Sequence, residues 1–367
     1  MFPRKKNDIL LNPGPVTLSP RVKRAFLNPD VCHREKEFFL LHETICRGLL
    51  GVYGASAKKY CCLLMSGSGT VAVEAALASL IPESGKVLIL INGVYGERMR
   101  SMAGVHRIPH VCLEYAWGQD IPFSDIERIL LKDKRITHVA AVHHETTTGR
   151  LNDLGSIGAL CRRYGKEFIV DAVSSFGAEE LRFAEWNIAC VAATSGKCLH
   201  AAPGVSFVIV KRRLLDTKKM PAPRSVYMDL FNYYKEQKQG SFPFTHATQL
   251  FFALAEALSE YKAMGGFPAR QKRYRALSTL IRRRAQEIGL RLYLARGQLS
   301  CVLTAFYLPA HITYAKLHDK LRKERFVIYA GQKKLARIIF RIATMGAVKE
   351  SDIERLCKVL KGIVCRR

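Results

Sequence analysis

No apolar run in this chain approaches the roughly 18 residues that a membrane-spanning helix needs. The longest, around residues 87–91 and 207–210, have the length of strands. The basic start, Met1-Phe2-Pro3-Arg4-Lys5-Lys6, leads into Asn7-Asp8 and a Pro/Gly turn, without the apolar core or cleavage site of a secretory leader. A cytoplasmic protein without membrane contact is the expectation. The eleven cysteines are an odd number, scattered through apparent strands (Cys190, Cys301) and as the neighbours Cys61 and Cys62. They show neither C-x-x-C spacing nor a disulfide framework, which points to free buried thiols. His143 and His144 lack a third ligand at suitable spacing, so no metal is expected and both read as structural. Walker P-loop, dinucleotide fingerprint and internal repeats are all missing.

Acidic residues are scarce: 31 Asp+Glu face 58 Lys+Arg, for a net charge of +27. Such a charge suits a nucleic-acid binder. Its densest stretch, Arg270 to Arg284, nevertheless lies on a segment whose Tyr274, Leu277, Leu280, Ile281 and Ile288 recur at helical spacing, the pattern of a helix with a solvated basic face. No stacking aromatics, zinc finger or RNA-recognition signature accompanies it. Nucleic-acid binding is therefore disfavoured, and an anionic small-molecule substrate accounts for part of the bias. With 49% hydrophobic and 24% charged residues, disordered and low-complexity classes are excluded. A chain of 367 residues is long enough for two or three domains and needs neither disulfide nor metal to fold.

Short apolar runs bounded by Gly, Asn or Asp recur at 87–91, 138–142, 168–170, 188–193 and 205–210, with helical patterns such as 154–164 between them. Continuous apolar strands alternating with helices predict an α/β fold whose mostly parallel sheet is covered on both faces. A helical pattern over 249–264 stops at Gly265-Gly266, and Pro268 reopens a helix. Beyond it the order becomes α+β: strands near 301–306, 326–329 and 338–342, a helix over 314–321, and a last helix opened by the capping-box pattern Ser351-Asp352-Ile353-Glu354. The expected organisation is an extended arm (1–17), a large α/β domain (18–265) and a small α+β domain (266–367).

Open α/β sheets bind ligands beyond the carboxyl ends of their strands. At those ends stand Asp171, the cluster His144-Glu145-Thr146-Thr147-Thr148-Gly149, Thr194-Ser195-Gly196-Lys197, and Asn92-Gly93-Val94-Tyr95-Gly96. Upstream, Ser66-Gly67-Ser68-Gly69-Thr70 is a glycine-rich turn opening a helical stretch, 71–80, whose free N–H groups suit a phosphate. A carboxylate for a pyridine nitrogen, an amine for a Schiff base, a flat side chain to cover a ring and N–H donors for a phosphate are what pyridoxal 5′-phosphate requires. Asp171, Lys197, Tyr95 and Ser68-Gly69-Thr70 supply them. Taken singly, Lys197 reads as a surface lysine, Arg341 as half of a structural ion pair and Cys198 as inert packing.

With these residues in this order, the chain resembles the fold-type I, class V aminotransferases. The resemblance runs through Leu11-Asn12-Pro13-Gly14-Pro15-Val16, Gly67-Ser68-Gly69-Thr70, Asn92-Gly93-Val94-Tyr95-Gly96, His144-Glu145-Thr146-Thr147-Thr148-Gly149, Asp171-Ala172-Val173-Ser174-Ser175-Phe176-Gly177, Lys197-Cys198-Leu199 and Phe340-Arg341-Ile342, nearly the whole chain. Within the class it is nearest to members that exchange an amino group between 2-aminoethylphosphonate and pyruvate, in either direction. Members that transfer an amino group from serine or alanine to glyoxylate share every cofactor residue and differ in the substrate pocket. A cysteine desulfurase is disfavoured, because no loop with a nucleophilic Cys follows Lys197.

The resemblance implies pyridoxal 5′-phosphate as cofactor, with Lys197 as the Schiff-base lysine and proton shuttle. Asp171 would pair with the pyridinium nitrogen, Tyr95 would stack on the ring, and Thr146 would approach the ring hydroxyl. Ser68, Gly69 and Thr70 would hold the phosphate, with Thr245 reaching in from the second subunit of a homodimer, and Arg341 would bind the substrate's acid group. Two departures stand out. Gly196 precedes the lysine where relatives carry Asn or Gln, and Cys32-His33-Arg34-Glu35 brings Arg34 as a second cation for a doubly charged phosphonate.

Overall fold

The structure is a computed structural model and describes residues 8–217 and 221–365. Residues 1–7 of the expected arm lie outside the described residues. In chain order the main elements are β1 (Ile9–Leu10), α1 (Lys36–Gly51), β2 (Tyr60–Gly67), α2 (Gly69–Leu80), β3 (Lys86–Ile91), α3 (Val94–Val105), β4 (His110–Glu114), α4 (Phe123–Lys132), β5 (Ile136–Val142), α5 (Leu154–Arg163), β6 (Glu167–Asp171), β7 (Ile188–Thr194), β8 (Gly204–Lys211), α6 (Leu230–Lys238), α7 (Thr248–Ala263), α8 (Gly266–Glu287), β9 (Leu303–Tyr307), α9 (Tyr314–Lys323), β10 (Phe326–Val327), β11 (Tyr329–Ala330), β12 (Ile339–Ala343) and α10 (Glu350–Val364).

Seven strands form one sheet in the order β2-β8-β7-β6-β5-β3-β4. Neighbours are parallel except at β8, which runs antiparallel to both β2 and β7. The apolar runs are continuous because successive side chains enter opposite cores: Leu88, Leu90, Val139 and Ala141 join one cluster, and Val87, Ile89, Ile91, Ala140 and Val142 join the other. Parallel pairing brings the carboxyl ends of β3, β5, β6 and β7 to one edge, with Val142 beside Asp171 and Asp171 beside Ala192.

A second sheet, antiparallel in the order β9-β12-β11, shares its own apolar cluster with α8, α9 and α10, built on Leu277, Ile281, Phe306, Leu321, Phe340, Ile342 and Leu356. The arm joins this unit: β1 pairs in parallel with β10, and Ala343 N donates to Leu11 O at 2.7 Å.

Three local expectations change. The last helix starts at Glu350, and Asp352 Oδ2 accepts from the backbone N–H of Lys349 at 2.8 Å. The cap therefore lies two residues before Ser351. Helix α8 starts at Gly266, which leaves Pro268 in its first turn, where the missing N–H has no helical partner to lose. Finally, the basic stretch of α8 is not wholly solvated. Arg270 is buried at 2% exposure and donates to Cys198 O at 2.5 Å, its guanidinium 5.0 Å from the Tyr261 ring centroid, and Arg282 turns in to Thr304 Oγ1 at 3.0 Å. Long aliphatic stems let arginines pack inward where backbone carbonyls receive the charged end.

Candidate active site

Lys197 stands in a turn after β7 that is fastened on all sides. Ser195 N donates to Val205 O at 2.9 Å, Ser195 Oγ to Ala202 O at 2.5 Å, His200 N to Lys197 O at 3.0 Å, and Cys198 Sγ to Ser174 O at 3.3 Å. The lysine side chain is mostly buried and its Nζ donates to Pro13 O of the arm. Burial lowers its pKa from the ordinary lysine value to about 8. Arg341 and Arg98 push the same way, while Cys198 and Asp171 oppose them. Cys198 itself is buried, and burial raises its thiol to about 12, which fits inert packing.

Asp171 ends β6 at 7% exposure, its Oδ1 accepting from Val173 N at 2.9 Å. Burial raises its pKa to about 6, against the pull of that N–H, Arg98 and Lys197. A carboxylate so poorly hydrated favours a cationic hydrogen-bond donor. Beside it, α2 opens at Ser68 with no side-chain cap, leaving N–H groups of its first turn without helical partners. The glycine at 69 is forced by packing, because a Cβ there would lie 2.6 Å from Val173 Cγ1.

Tyr95 is placed by the loop after β5. Glu145 Oε2 accepts from Tyr95 N at 3.2 Å, and Thr147 Oγ1 accepts from Val94 N at 3.1 Å, so this loop caps the start of α3. Glu145 is wholly buried and touches the chain at Gly93 so closely that a Cβ there would fall 2.2 Å from its Cδ. Burial raises its pKa to about 7, with Thr147 opposing and Asp171 adding to the rise.

Two small adjoining cavities share Tyr95, Asp171 and Val173. One is lined further by Gly69, Thr70 and Arg98, the other by His144, Thr146, Ser174 and Lys197. Arg341, 3% exposed on β12, closes the site from the second sheet: its Nη1 donates to Thr146 O at 2.8 Å and its Nε to Ala330 O at 2.9 Å. It forms no ion pair with a carboxylate among the described residues, so the structural ion pair considered from sequence is not what holds it. Thr146 Oγ1 and His144 Nε2 are buried and without partners among the described residues. Unmet polar atoms, a buried acid, a lysine of lowered pKa and a helix start form a set that pyridoxal 5′-phosphate would satisfy.

The structure thus brings together Gly69, Thr70, Tyr95, Thr146, Asp171, Lys197 and Arg341, with Ser68 at the α2 cap. Arg34 and Thr245 are exposed within one chain and line neither cavity. Arg34 sits on the turn that feeds α1, whose charged side faces outward. A cation that does reach the cavities within one chain is Arg98, with its Cζ 4.8 Å from the Tyr95 ring centroid and Nη1 3.4 Å from Thr70 Oγ1. Its spacing of i+3 from Tyr95 on one helix was the available signal. Glu145 and His144 were visible only as neighbours of Thr146. His143 packs against Ser175 at 3.0 Å, whereas His144 faces the cavity lining instead of being purely structural.

Residues 56–353 match the family described as aminotransferase class-V, and the chain belongs to that family. It is 36% identical over 361 residues to the 2-aminoethylphosphonate–pyruvate transaminase of Bacillus cereus (strain Q1), covering 97% of this chain and 98% of that one. Among solved structures, ureidoglycine–glyoxylate aminotransferase from Bacillus subtilis superposes with a TM-score of 0.92 at 27% identity, over 100% of this chain and 95% of that one. Alanine–glyoxylate aminotransferase from Nostoc sp. superposes with a TM-score of 0.91 at 25% identity, over 100% and 97%. These neighbours share the α/β architecture with a mostly parallel sheet.

Proposed function

We propose that this chain is a pyridoxal 5′-phosphate-dependent transaminase that moves an amino group between 2-aminoethylphosphonate and pyruvate, giving phosphonoacetaldehyde and alanine or the reverse. The observation that carries it is Arg341, a buried guanidinium with no carboxylate partner among the described residues, next to a lysine of depressed pKa. A buried cation left unpaired is unfavourable until an anion arrives, and a planar fork of N–H groups can donate to phosphonate or carboxylate oxygens. The phosphonate is chosen over serine or alanine with glyoxylate because the relative bearing that name is 36% identical over nearly the full length, against 25–27% for the glyoxylate enzymes.

When bound, pyridoxal 5′-phosphate supplies an electrophilic aldehyde and a ring that accepts an electron pair. Asp171 would hold a proton on its ring nitrogen, Tyr95 would cover one face, and Thr146 would approach the ring hydroxyl. Ser68, Gly69 and Thr70 would bind the phosphate. Lys197 Nζ, uncharged, would be the base that takes the proton from the substrate's amino-bearing carbon and, in its ammonium form, the acid that gives that proton back. Arg341 orients that carbon by gripping the acid group of either substrate.

We extend the proposal to a homodimer in which the exposed Thr245 completes the partner's phosphate cup, and to a division of the chain at residue 265. No described helix is long and apolar enough to cross a membrane. The cysteines are free, which supports a reducing, cytoplasmic setting. The test is a donor panel of 2-aminoethylphosphonate, serine and alanine against pyruvate and glyoxylate. Turnover of the phosphonate with pyruvate is expected. Failure with the phosphonate alongside fast glyoxylate turnover would move the chain to the other group.

A further inference from the structure

We propose that Ser66 is a positioning residue that serves the partner subunit's cofactor site, by clasping the loop that presents Thr245. The inference rests on the reading of a homodimer in which Thr245 completes the partner's phosphate cup. Ser66 lies near the end of β2, two residues before Ser68, and so stands beside its own chain's cup. Three groups from the segment 227–247 converge on it. The Tyr227 hydroxyl donates to Ser66 O at 2.7 Å, Ala247 N donates to Ser66 Oγ at 3.2 Å, and His246 Nδ1 lies 3.2 Å from the same Oγ. A serine hydroxyl both gives and receives, so this last contact is a hydrogen bond in either histidine tautomer.

Rings fix the rest of the loop. His246 is 5% exposed, its ring centroid 4.8 Å from that of Phe251 and 5.0 Å from that of Phe242, and Phe244 lies 4.9 Å from Tyr227. Between these two anchored residues Thr245 is exposed, and it lines neither cavity of its own chain. Holding a loop in one conformation costs entropy at every residue. A polar side chain held this firmly, yet absent from its own site, is preorganised for a ligand outside the chain. The partner's phosphate offers acceptors for a threonine hydroxyl. The clasp thereby ties the cup of one site to the loop that completes the other.

The test uses hybrid dimers of the full-length protein in which one chain carries Lys197→Ala. Only the other, live chain can then capture pyridoxal 5′-phosphate covalently, and absorbance follows that capture. The loop of the Lys197→Ala chain supplies Thr245 to the live site. Ser66→Ala on the Lys197→Ala chain is expected to raise the cofactor concentration for half-maximal capture about fivefold, and on the live chain to change it by less than about twofold. His246→Phe keeps a ring among Phe38, Phe242 and Phe251 and should act in the same way, so it stands in if Ser66→Ala fails to fold. Adding Ser66→Ala to a chain that already carries Thr245→Ala should bring no further loss, because Ser66 acts through that hydroxyl. An effect confined to the live chain, equal in both arrangements, missing from both, or added on top of Thr245→Ala would overturn the proposal. Thr245→Ala without effect on the neighbouring site would instead remove the dimer reading, and no capture by the unaltered protein would remove the cofactor reading.

Discussion

Gly196 and Pro203 pack so closely that a Cβ on residue 196 would lie 2.8 Å from the Cα of Pro203 and 2.9 Å from its nitrogen. The absence of an amide side chain before the lysine is therefore built into the turn, since Pro203 occupies the space on that side. Substituting Gly196→Asn must displace backbone that Ser195 and His200 also fasten. Overpacking of this kind destabilises by about 1–3 kcal/mol. Urea unfolding of the variant should show that loss, together with weaker cofactor retention, in place of any gain from an added contact.

The depressed pKa of Lys197 sets a pH dependence for cofactor capture. Only the neutral amine attacks an aldehyde, and with a pKa of about 8 the neutral fraction rises about tenfold from pH 7 to pH 9. The rate at which cofactor-free protein takes up pyridoxal 5′-phosphate, followed by absorbance, should rise by that factor. An ordinary exposed lysine would still be climbing steeply above pH 9. Lys197→Ala should show no covalent capture at any pH and no transamination.

The parallel sheet was legible because its strands are buried on both faces, so that 87–91 and 188–193 carry no polar interruption to be misread. Strand β2 was not legible, although Tyr60–Gly67 is mostly buried, because its last residues, Ser66 and Gly67, belong equally to the glycine-rich turn that opens α2. Lys197, Asp171 and Tyr95 were legible as polar residues just past apolar runs. Glu145 and His144 were not, since their roles depend on which neighbour's N–H or hydroxyl they meet, and those neighbours are 50 and 30 residues away; Arg98 carried a signal in its i+3 spacing from Tyr95, but none for its approach to Thr70, 28 residues away. Arg270 misled for a related reason: helical spacing marks it as basic-face, but Cys198 O and two tyrosine rings receive it inside.

Glu145 makes a second pH signature, on stability. Its folded pKa, about 7, lies above the ordinary carboxyl value of 4.5, so the folded state holds this proton more tightly than the unfolded chain. The resulting stability is fully present below about pH 4.5 and is lost as pH rises through 7. Glu145→Gln removes the titration. Measured by chemical denaturation, the difference in unfolding free energy between the two proteins should shift by about 2–3 kcal/mol in favour of Gln between pH 5 and pH 8. A constant difference would mean that the carboxyl titrates normally. Glu145→Ala, which also strips the acceptor from Tyr95 N, should destabilise by about 1–3 kcal/mol at pH 5, and that deficit should shrink toward pH 8 by the same roughly 2–3 kcal/mol, since Ala does not titrate either.

Arg341 separates substrate recognition from packing. Its Nη1 and Nε are engaged by Thr146 O and Ala330 O, which fixes the guanidinium plane and leaves its Nη2 without a protein partner among the described residues. Arg341→Met should raise the KM for both 2-aminoethylphosphonate and pyruvate by about 100-fold or more, the order expected for losing a charge-assisted, bidentate contact. Arg341→Lys keeps the charge but not the fork, and should recover only part of the loss. A simple alkylamine donor has no acid group to grip. Its slow turnover should be the same in all three proteins, because Lys197 and Asp171 remain in place. If the alkylamine rate falls in parallel with the phosphonate rate, Arg341 serves the fold around Thr146 and not the substrate.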